Sequence, residues 1–126
     1  MHPLPKALYF PFAAALLTAP GASAAVEDGL DFFEKKIRPV LVENCYKCHS
    51  AKAASTKMLK GGLQVDTRSG IRKGGETGPA VVPGQPGKSL LFQALTGSDN
   101  LERMPYEKPP LKKAEIALIR EWIVQG

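Results

Sequence analysis

Cysteine and histidine are scarce in this sequence, and their scarcity limits the chemistry that the chain can perform. The 126 residues contain two cysteines, Cys45 and Cys48, and two histidines, His2 and His49. A structural zinc site normally takes four sulfur or nitrogen ligands. Because we expect the segment that contains His2 to be removed, three such ligands remain. A zinc site built by this chain alone is therefore short of one ligand.

The sequence also lacks an apolar run long enough to cross a membrane. The run from Ala7 to Ala19 is short and is interrupted by Pro11, whereas a spanning helix needs about 20 apolar residues. A weakly positive start precedes this run, and small residues at 22–24 follow it, as in a secretory signal peptide. We predict that residues 1–24 are a cleaved signal peptide and that residues 25–126 form one small domain. The residue directly after the cut is Ala25 and not a cysteine that could carry a lipid anchor. We therefore expect an exported, periplasmic protein without stable membrane insertion.

Positive charge is in excess but is not gathered in one block of sequence. The formal net charge is +5 at pH 7, and residues 25–126 carry 16 basic and 12 acidic side chains. Lysine is spread along the chain, and stacking aromatic residues do not interleave with it. This pattern speaks against nucleic-acid binding. A mildly basic surface is usually only solvated, but it can also steer docking to an acidic partner.

Two segments near the ends have the periodicity of amphipathic helices. Apolar residues recur at helical spacing between about Leu30 and Val42. Pro39 lacks an amide donor, so we expect this helix to kink or restart there. A second amphipathic pattern predicts a helix over about Lys112–Val124. Strand–helix alternation is missing, so nothing in the pattern suggests a parallel sheet.

The middle of the chain, from about Ser50 to Lys88, is rich in glycine and proline and is predicted to be irregular. After it, Ser89 is placed to cap a short helix that Gly97 would close. An irregular stretch of this length is unusual inside a compact domain. It becomes reasonable if the chain wraps around a bound group that supplies part of the core.

Both cysteines and His49 lie within five positions, in the stretch NCYKCHS. The pattern C-x-x-C-H is the attachment signature of c-type haem. Thiols one helical turn apart can form thioethers with the two vinyl groups on one edge of the porphyrin, and the adjacent imidazole can bind iron. The alternatives are a zinc site, which lacks a ligand, and a redox dithiol, which normally lies in a βαβ setting that is missing here. A disulfide between Cys45 and Cys48 would close a very small loop and add little stability.

A haem bound by His49 needs a second axial ligand or has an open site. No other histidine remains after residue 24, so methionine is the candidate. Met58 follows His49 by nine residues, which leaves little chain to pass around the ring edge. Met104 lies in a predicted loop, and Pro105 biases its backbone toward an extended conformation. We predict Met104 as the distal ligand; the alternatives are Met58, or a Met104 that only fills a core gap.

Four stretches together resemble the planctomycete-type cytochrome c domain: FFEKKIRPVLVENCYKCHS, LKGGLQVDTRSGIRKGGETGPAVVPGQPGKSLLFQAL, RMPY and EIALIREWIVQG. The resemblance implies a small all-α variant of the class I cytochrome c fold, in which long loops wrap a covalent haem c. It implies thioethers at Cys45 and Cys48, His49 as proximal iron ligand and Met104 as distal ligand. The family often has Met-Pro-Pro where this chain has Met104-Pro105-Tyr106, a departure that keeps the methionine and the first proline.

The resemblance also implies packing between the N- and C-terminal helices. Phe33, Ile37 and Leu41 should then face Ile119, Trp122 and Ile123, with Leu118 nearby. The basic side chains in the wrapping loop are candidates for pairing with the haem propionates: Arg68, Arg72 and Lys73.

A haem with histidine and methionine ligands has no free coordination position, which favours electron transfer over catalysis. We therefore predict an exported monohaem electron carrier, not an enzyme, whose redox partner proteins have acidic docking surfaces. One alternative is a peroxidase-like haem enzyme with an open distal site. Another is the electron-transfer module of a longer exported protein, because domains of this kind usually form the front end of such proteins.

Overall fold

The computed structural model describes residues 14–17 and 28–126, and in these ranges the chain is helical without named strands. Residues 28–44 form helix α1, which includes a π-helical stretch, Phe33–Ile37, and a final α-helical part, Arg38–Asn44. The later helices are α2 (Ala51–Ser55), α3 (Arg68–Lys73), a 3₁₀ turn (Pro86–Lys88), α4 (Leu90–Thr96) and α5 (Lys113–Gln125). The predicted all-α class is confirmed.

The predicted signal peptide lies outside the described residues, apart from positions 14–17. In the ranges that the structure describes, no helix has both the length and the apolar character needed to cross a membrane.

Helix α1 extends slightly beyond the predicted Leu30–Val42 and changes its geometry ahead of Pro39. The N–H of Arg38 donates to the carbonyl of Phe33, five residues earlier, which is the hydrogen bond of a π-helix. The α-helical part then restarts with Pro39 in its first turn, where a missing N–H costs no intrahelical bond. The predicted restart near Pro39 is therefore observed.

The middle segment contains two short helices that the sequence interpretation missed. Ser50 caps α2, since its Oγ accepts from the N–H of Ala53 at 3.1 Å. Thr67 caps α3 in the same way, accepting from the N–H of Gly70 at 3.0 Å. Hydroxyl caps of this kind satisfy the free N–H groups of a first helical turn. The two hydroxyl residues were the available sequence signal for these helices.

Helix α4 lies where it was predicted, but Ser89 does not cap it with its side chain. The side chain of Ser89 is fully buried and makes no cap hydrogen bond to α4. Its Oγ instead accepts from the N–H of Val82 at 2.9 Å and donates to the carbonyl of Gln85 at 2.9 Å. Gly97 ends the helix with a positive φ of 83°, as predicted for a glycine cap.

The N- and C-terminal helices pack against each other as expected. The rings of Phe33 and Trp122 lie 5.4 Å apart between centroids, with their planes tilted by 42°. Four aliphatic side chains of α1 and α5 are essentially fully buried in the same core, with Leu118 packed against it: Ile37, Leu41, Ile119 and Ile123. Burial of such side chains contributes about 1.5–3 kcal/mol each.

The irregular middle segment also contributes to this core. Val65, Ile71 and Val81 are buried with the helix residues in one cluster. The glycines of the segment allow this close packing: a Cβ at Gly74, where φ is +74°, would overlap the carbonyl of Gly78. The segment is therefore a packed part of the domain.

Candidate functional site

The cysteine–histidine motif lies in a hydrogen-bonded turn at the end of α1. The N–H of Cys45 donates to the carbonyl of Leu41 at 2.8 Å, and the N–H of His49 donates to the carbonyl of Cys45 at 3.0 Å. Cys45 and Cys48 are both free thiols and partly buried. The turn continues directly from the packed helix, and Cys45 packs against the hydrophobic core.

His49 is held by its side chain and by its backbone. Its Nδ1 lies 3.3 Å from the carbonyl oxygen of Leu63, and its own carbonyl accepts from the N–H of Val65 at 2.9 Å. A carbonyl can only accept, so Nδ1 carries the hydrogen in this bond and Nε2 keeps its lone pair. Hydrogen bonds of this kind orient metal-binding imidazoles in proteins. The geometry therefore leaves Nε2 as the nitrogen able to bind iron.

Further bonds fix the motif to the segment that follows it. The carbonyl of Cys48 accepts from the N–H of Lys60 at 3.0 Å. The hydroxyl of Ser50 donates to the carbonyl of Tyr46 at 2.7 Å while it caps α2. Asp66 joins the same network, because its Oδ2 accepts from the N–H of Ala51 at 2.9 Å. Backbone and side-chain hydrogen bonds thus join the motif to residues 51–66.

The two candidate methionines lie in different surroundings. Met104 is partly buried and packs against the hydrophobic core, and its N–H donates to the carbonyl of Ala94 at 3.0 Å. Met58 is 48% exposed and does not belong to that cluster. The burial of Met104 fits a residue that faces an internal ligand, and equally one that fills the core. Its role as distal ligand stays a prediction.

The first cysteine of the motif has a raised pKa. Burial raises the pKa of the Cys45 thiol to about 11, and the ammonium group of Lys108 opposes this rise. The thiol is therefore protonated at neutral pH. Burial also raises the pKa of the neighbouring Tyr46, against the charge of Arg38. Cys45 and Tyr46 thus present neutral groups within the cysteine–histidine motif.

The structure does not assemble a zinc site from the same residues. Within residues 14–17 and 28–126, no three His, Cys, Asp or Glu side chains are gathered closely enough to hold a metal ion by themselves. Cys45, Cys48 and His49 are therefore not arranged around one point, as zinc ligands would be.

The three basic residues that were candidates for haem propionates are exposed. Arg68 and Arg72 line a groove of about 860 Å³, together with Phe33 and Trp122. None of the four candidate haem-binding residues lines that groove. The pairing of Arg68, Arg72 and Lys73 with propionates stays a prediction that this placement does not support.

Sequence reasoning missed the groups that orient the histidine. Leu63, Val65 and Lys60 act through their backbone atoms, so no side-chain pattern reveals them. The stretch at 63–65 belongs to the segment predicted to be irregular, and it forms no strand. Its role is to bring one carbonyl and one N–H to His49.

Comparison with known protein families gives a result that agrees with this geometry. A family model described as planctomycete cytochrome C matches residues 45–108, just over half of the chain. The matched range begins at the first cysteine and includes His49 and Met104. Comparison with curated proteins and with solved structures gave no match. From the family match, together with the cysteine–histidine motif, the chain belongs to the planctomycete cytochrome c family.

Proposed function

We propose that the protein is an exported c-type cytochrome that carries single electrons between partner proteins. Family membership supports this proposal, and one observation carries it: the hydrogen bond of His49 Nδ1 to the Leu63 carbonyl leaves the lone pair of Nε2 free to bind a metal. A haem c bound here supplies a one-electron couple between Fe(III) and Fe(II).

The residues of the motif fit such a group. Cys45 and Cys48 are free thiols with the spacing of thioether attachment. They would tether the ring covalently, so that an exported protein does not lose it by dilution. His49 would bind the iron from the proximal side.

Met104 would hold the distal side. A thioether sulfur is a soft ligand that favours Fe(II) and raises the reduction potential. A bound Met104 also fills the last coordination position, which excludes small molecules and restricts the site to electron transfer. The partial burial of Met104 against the core supports this assignment over Met58.

The proposal also covers the cellular location of the protein and its partners. The signal-like residues 1–24 support export to the periplasm. Partners would be redox proteins, and the carrier would act either alone or as the electron-transfer module of a longer exported protein.

The test is to produce the protein with haem-maturation machinery and record two spectra. A reduced pyridine haemochrome of the two-thioether type confirms attachment at both cysteines. A weak near-infrared sulfur-to-iron band in the ferric protein confirms the methionine ligand. High-spin iron that binds cyanide readily would instead indicate an enzyme with an open distal site. Absence of covalent haem would overturn the whole proposal.

A further inference from the structure

The groove that Arg68 and Arg72 line is separate from the proposed haem site. Residues of α1, α3 and α5 line it, and none of the four candidate haem-binding residues does. Its volume of about 860 Å³ lies within the range of about 300–1,000 Å³ that is usual for small-molecule pockets. The groove is therefore large enough to take a ligand of its own.

Most of the groove is lined by apolar side chains. Three of them are buried in the core: Val65, Ile71 and Ile123. Phe33 and Trp122 line the groove with their paired rings, and Leu30 lines it while 60% exposed. The apolar body of a ligand would find a matching surface here and would remove the leucine from water.

The groove also has a positively charged side, formed by Arg68 and Arg72. These residues lie one helical turn apart on α3, so their side chains share a face of the helix. Both side chains are exposed. Among the residues that the structure describes, the ion pairs lie within α1 and involve neither arginine. Like charges at this spacing repel each other, and an anion bound between them would offset that repulsion.

Two acidic residues line the groove as well, Asp28 and Asp66. Asp28 lies at the start of α1, where the helix dipole favours a carboxylate. Asp66 accepts from the N–H of Ala51 through Oδ2, and its Oδ1 is buried. Within the described part of the chain, neither acid forms an ion pair with Arg68 or Arg72. The two guanidinium groups are therefore available to an anionic ligand.

We propose that the groove binds an amphipathic carboxylate, such as a fatty acid, as a free small molecule. Its carboxylate would lie between Arg68 and Arg72, since a planar guanidinium group matches a carboxylate with two parallel hydrogen bonds. Its apolar body would lie along Leu30, Phe33 and Trp122. A second copy of this chain fits the groove less well, because a two-fold interface would bring two arginine pairs together. The site needs no haem, so it is independent of the proposed electron transfer.

Trp122 provides a specific signal for binding, because it is the only tryptophan of the chain. Its indole N–H signal is followed in nitrogen-15 NMR spectra of the reduced, haem-loaded protein. The probes are decanoate, decyltrimethylammonium and acetate, with the two amphiphiles kept below their micelle concentrations. We expect decanoate to shift the indole signal in a saturable way and the other two probes to leave it nearly in place. Equal shifts with decyltrimethylammonium or with acetate, or no shift with decanoate, would overturn the proposal.

Matched charge variants test the role of the arginines. One is R68Q/R72Q; the control is R103Q/R120Q, whose arginines are exposed and lie outside the groove. Because charge-assisted hydrogen bonds are the strong ones, we expect the first variant to bind decanoate about tenfold more weakly and the control to change by less than about twofold. Equal weakening in both variants would show that only net charge matters and would overturn the proposal.

A second pair of variants tests the apolar body. Leu30→Gln places a polar amide at the groove. Val42→Gln is the control, because Val42 is 51% exposed on the same helix and lies outside the groove. The lost apolar contact should weaken decanoate binding about threefold in Leu30→Gln, whereas Val42→Gln should bind like the wild type. Equal affinities of the two variants would contradict the placement of the apolar body and overturn the proposal.

A vesicle experiment separates a free carboxylate from a membrane surface. The protein is sedimented with vesicles of phosphatidylcholine and with vesicles that also contain phosphatidylglycerol. We expect little retention by either, because the apolar side chains line a groove and do not form the broad apolar face of a membrane-binding helix. Retention by the anionic vesicles that R68Q/R72Q abolishes, in protein whose Trp122 signal does not respond to decanoate, would assign the arginines to a membrane and overturn the proposal.

Discussion

The histidine side and the methionine side of the candidate site are built in different ways. On the histidine side, residues 60–65 bond back to Cys48 and His49 through three separate contacts. On the methionine side, Met104 is tied to the rest of the fold by the bond of its N–H to Ala94. The other backbone bonds of that loop are local, from Leu101 to Ser98 and from Lys108 to Pro105.

This difference indicates which of the two candidate ligands the fold orients more firmly. The ring of His49 is held by a carbonyl from a distant part of the chain. Met104 is placed near the core by a loop with fewer outside contacts. We therefore expect changes on the histidine side to affect attachment and stability, and changes at Met104 to affect the electronic properties of the iron.

Removing the attachment groups should have the largest effect. In the variant Cys45→Ala/Cys48→Ala, no thioether can form, and we expect complete loss of covalently bound haem. The measurement is the haem signal that stays with the polypeptide after acid–acetone extraction or denaturing electrophoresis.

The matched control is Met104→Ala, which removes a ligand but no tether and should keep the covalent haem. Haem that remains attached in the double cysteine variant would contradict the assignment of both cysteines.

Replacement of Met104 should change the spectrum while attachment is kept. In Met104→Ala, we expect the near-infrared sulfur-to-iron band to vanish and the reduction potential to fall, because the soft thioether no longer favours Fe(II). Spectra of the ferric protein and a redox titration measure both effects.

Met58→Ala is the control for that experiment, since Met58 is exposed and outside the core. It should leave the band and the potential unchanged. If Met58→Ala alone abolishes the band, the distal assignment is wrong.

The candidate groups of the site can be read from the sequence, whereas their supports cannot. The motif at Cys45–His49 is a side-chain pattern, and the family match that begins at Cys45 agrees with it. The helix crossing was also predicted, because its apolar spacing is visible in α1 and α5. The supports of His49 were not, since Leu63 and Val65 act through backbone atoms that any residue possesses.

The glycine-rich middle segment shows a second limit of predicting structure from the sequence. Its glycines were predicted to form turns, which is correct for Gly84, where the chain turns with a φ of +77°. Gly70, however, lies inside α3, where a Cβ would overlap the carbonyl of Gln64. A glycine required by close packing looks the same in a sequence as one required by a turn. Their difference appears only in three dimensions.

Gly70→Ala tests this close packing and its link to the histidine side. The new methyl group would push on the backbone of Gln64, which lies between the two residues that bond to His49. Overpacking of this kind typically costs about 1–3 kcal/mol, so we expect the free energy of unfolding to fall by about 2 kcal/mol. Urea denaturation of the haem-loaded protein measures this loss.

Gly87→Ala is the matched control, because no atom lies within 4 Å of the position that its new methyl group would take, and its φ is ordinary. It should be neutral or slightly stabilising, since alanine restricts the unfolded chain. Equal destabilisation by both variants would show that the packing of α3 against Gln64 is unimportant.

Ser50→Ala should have the smallest effect of this series, and it tests how α2 is joined to the motif. The hydroxyl caps α2 and also donates to the carbonyl of Tyr46. Loss of a serine cap costs about 1 kcal/mol, and the partly buried Tyr46 carbonyl would lose a partner as well. We expect the urea midpoint to fall accordingly. Ser50→Thr keeps a hydroxyl and should recover most of the loss. Because Ser50 bonds to neither Leu63 nor Met104, the near-infrared band should stay in place in both variants; a band that disappears in Ser50→Ala would show that the two sides are coupled through α2 and not held independently.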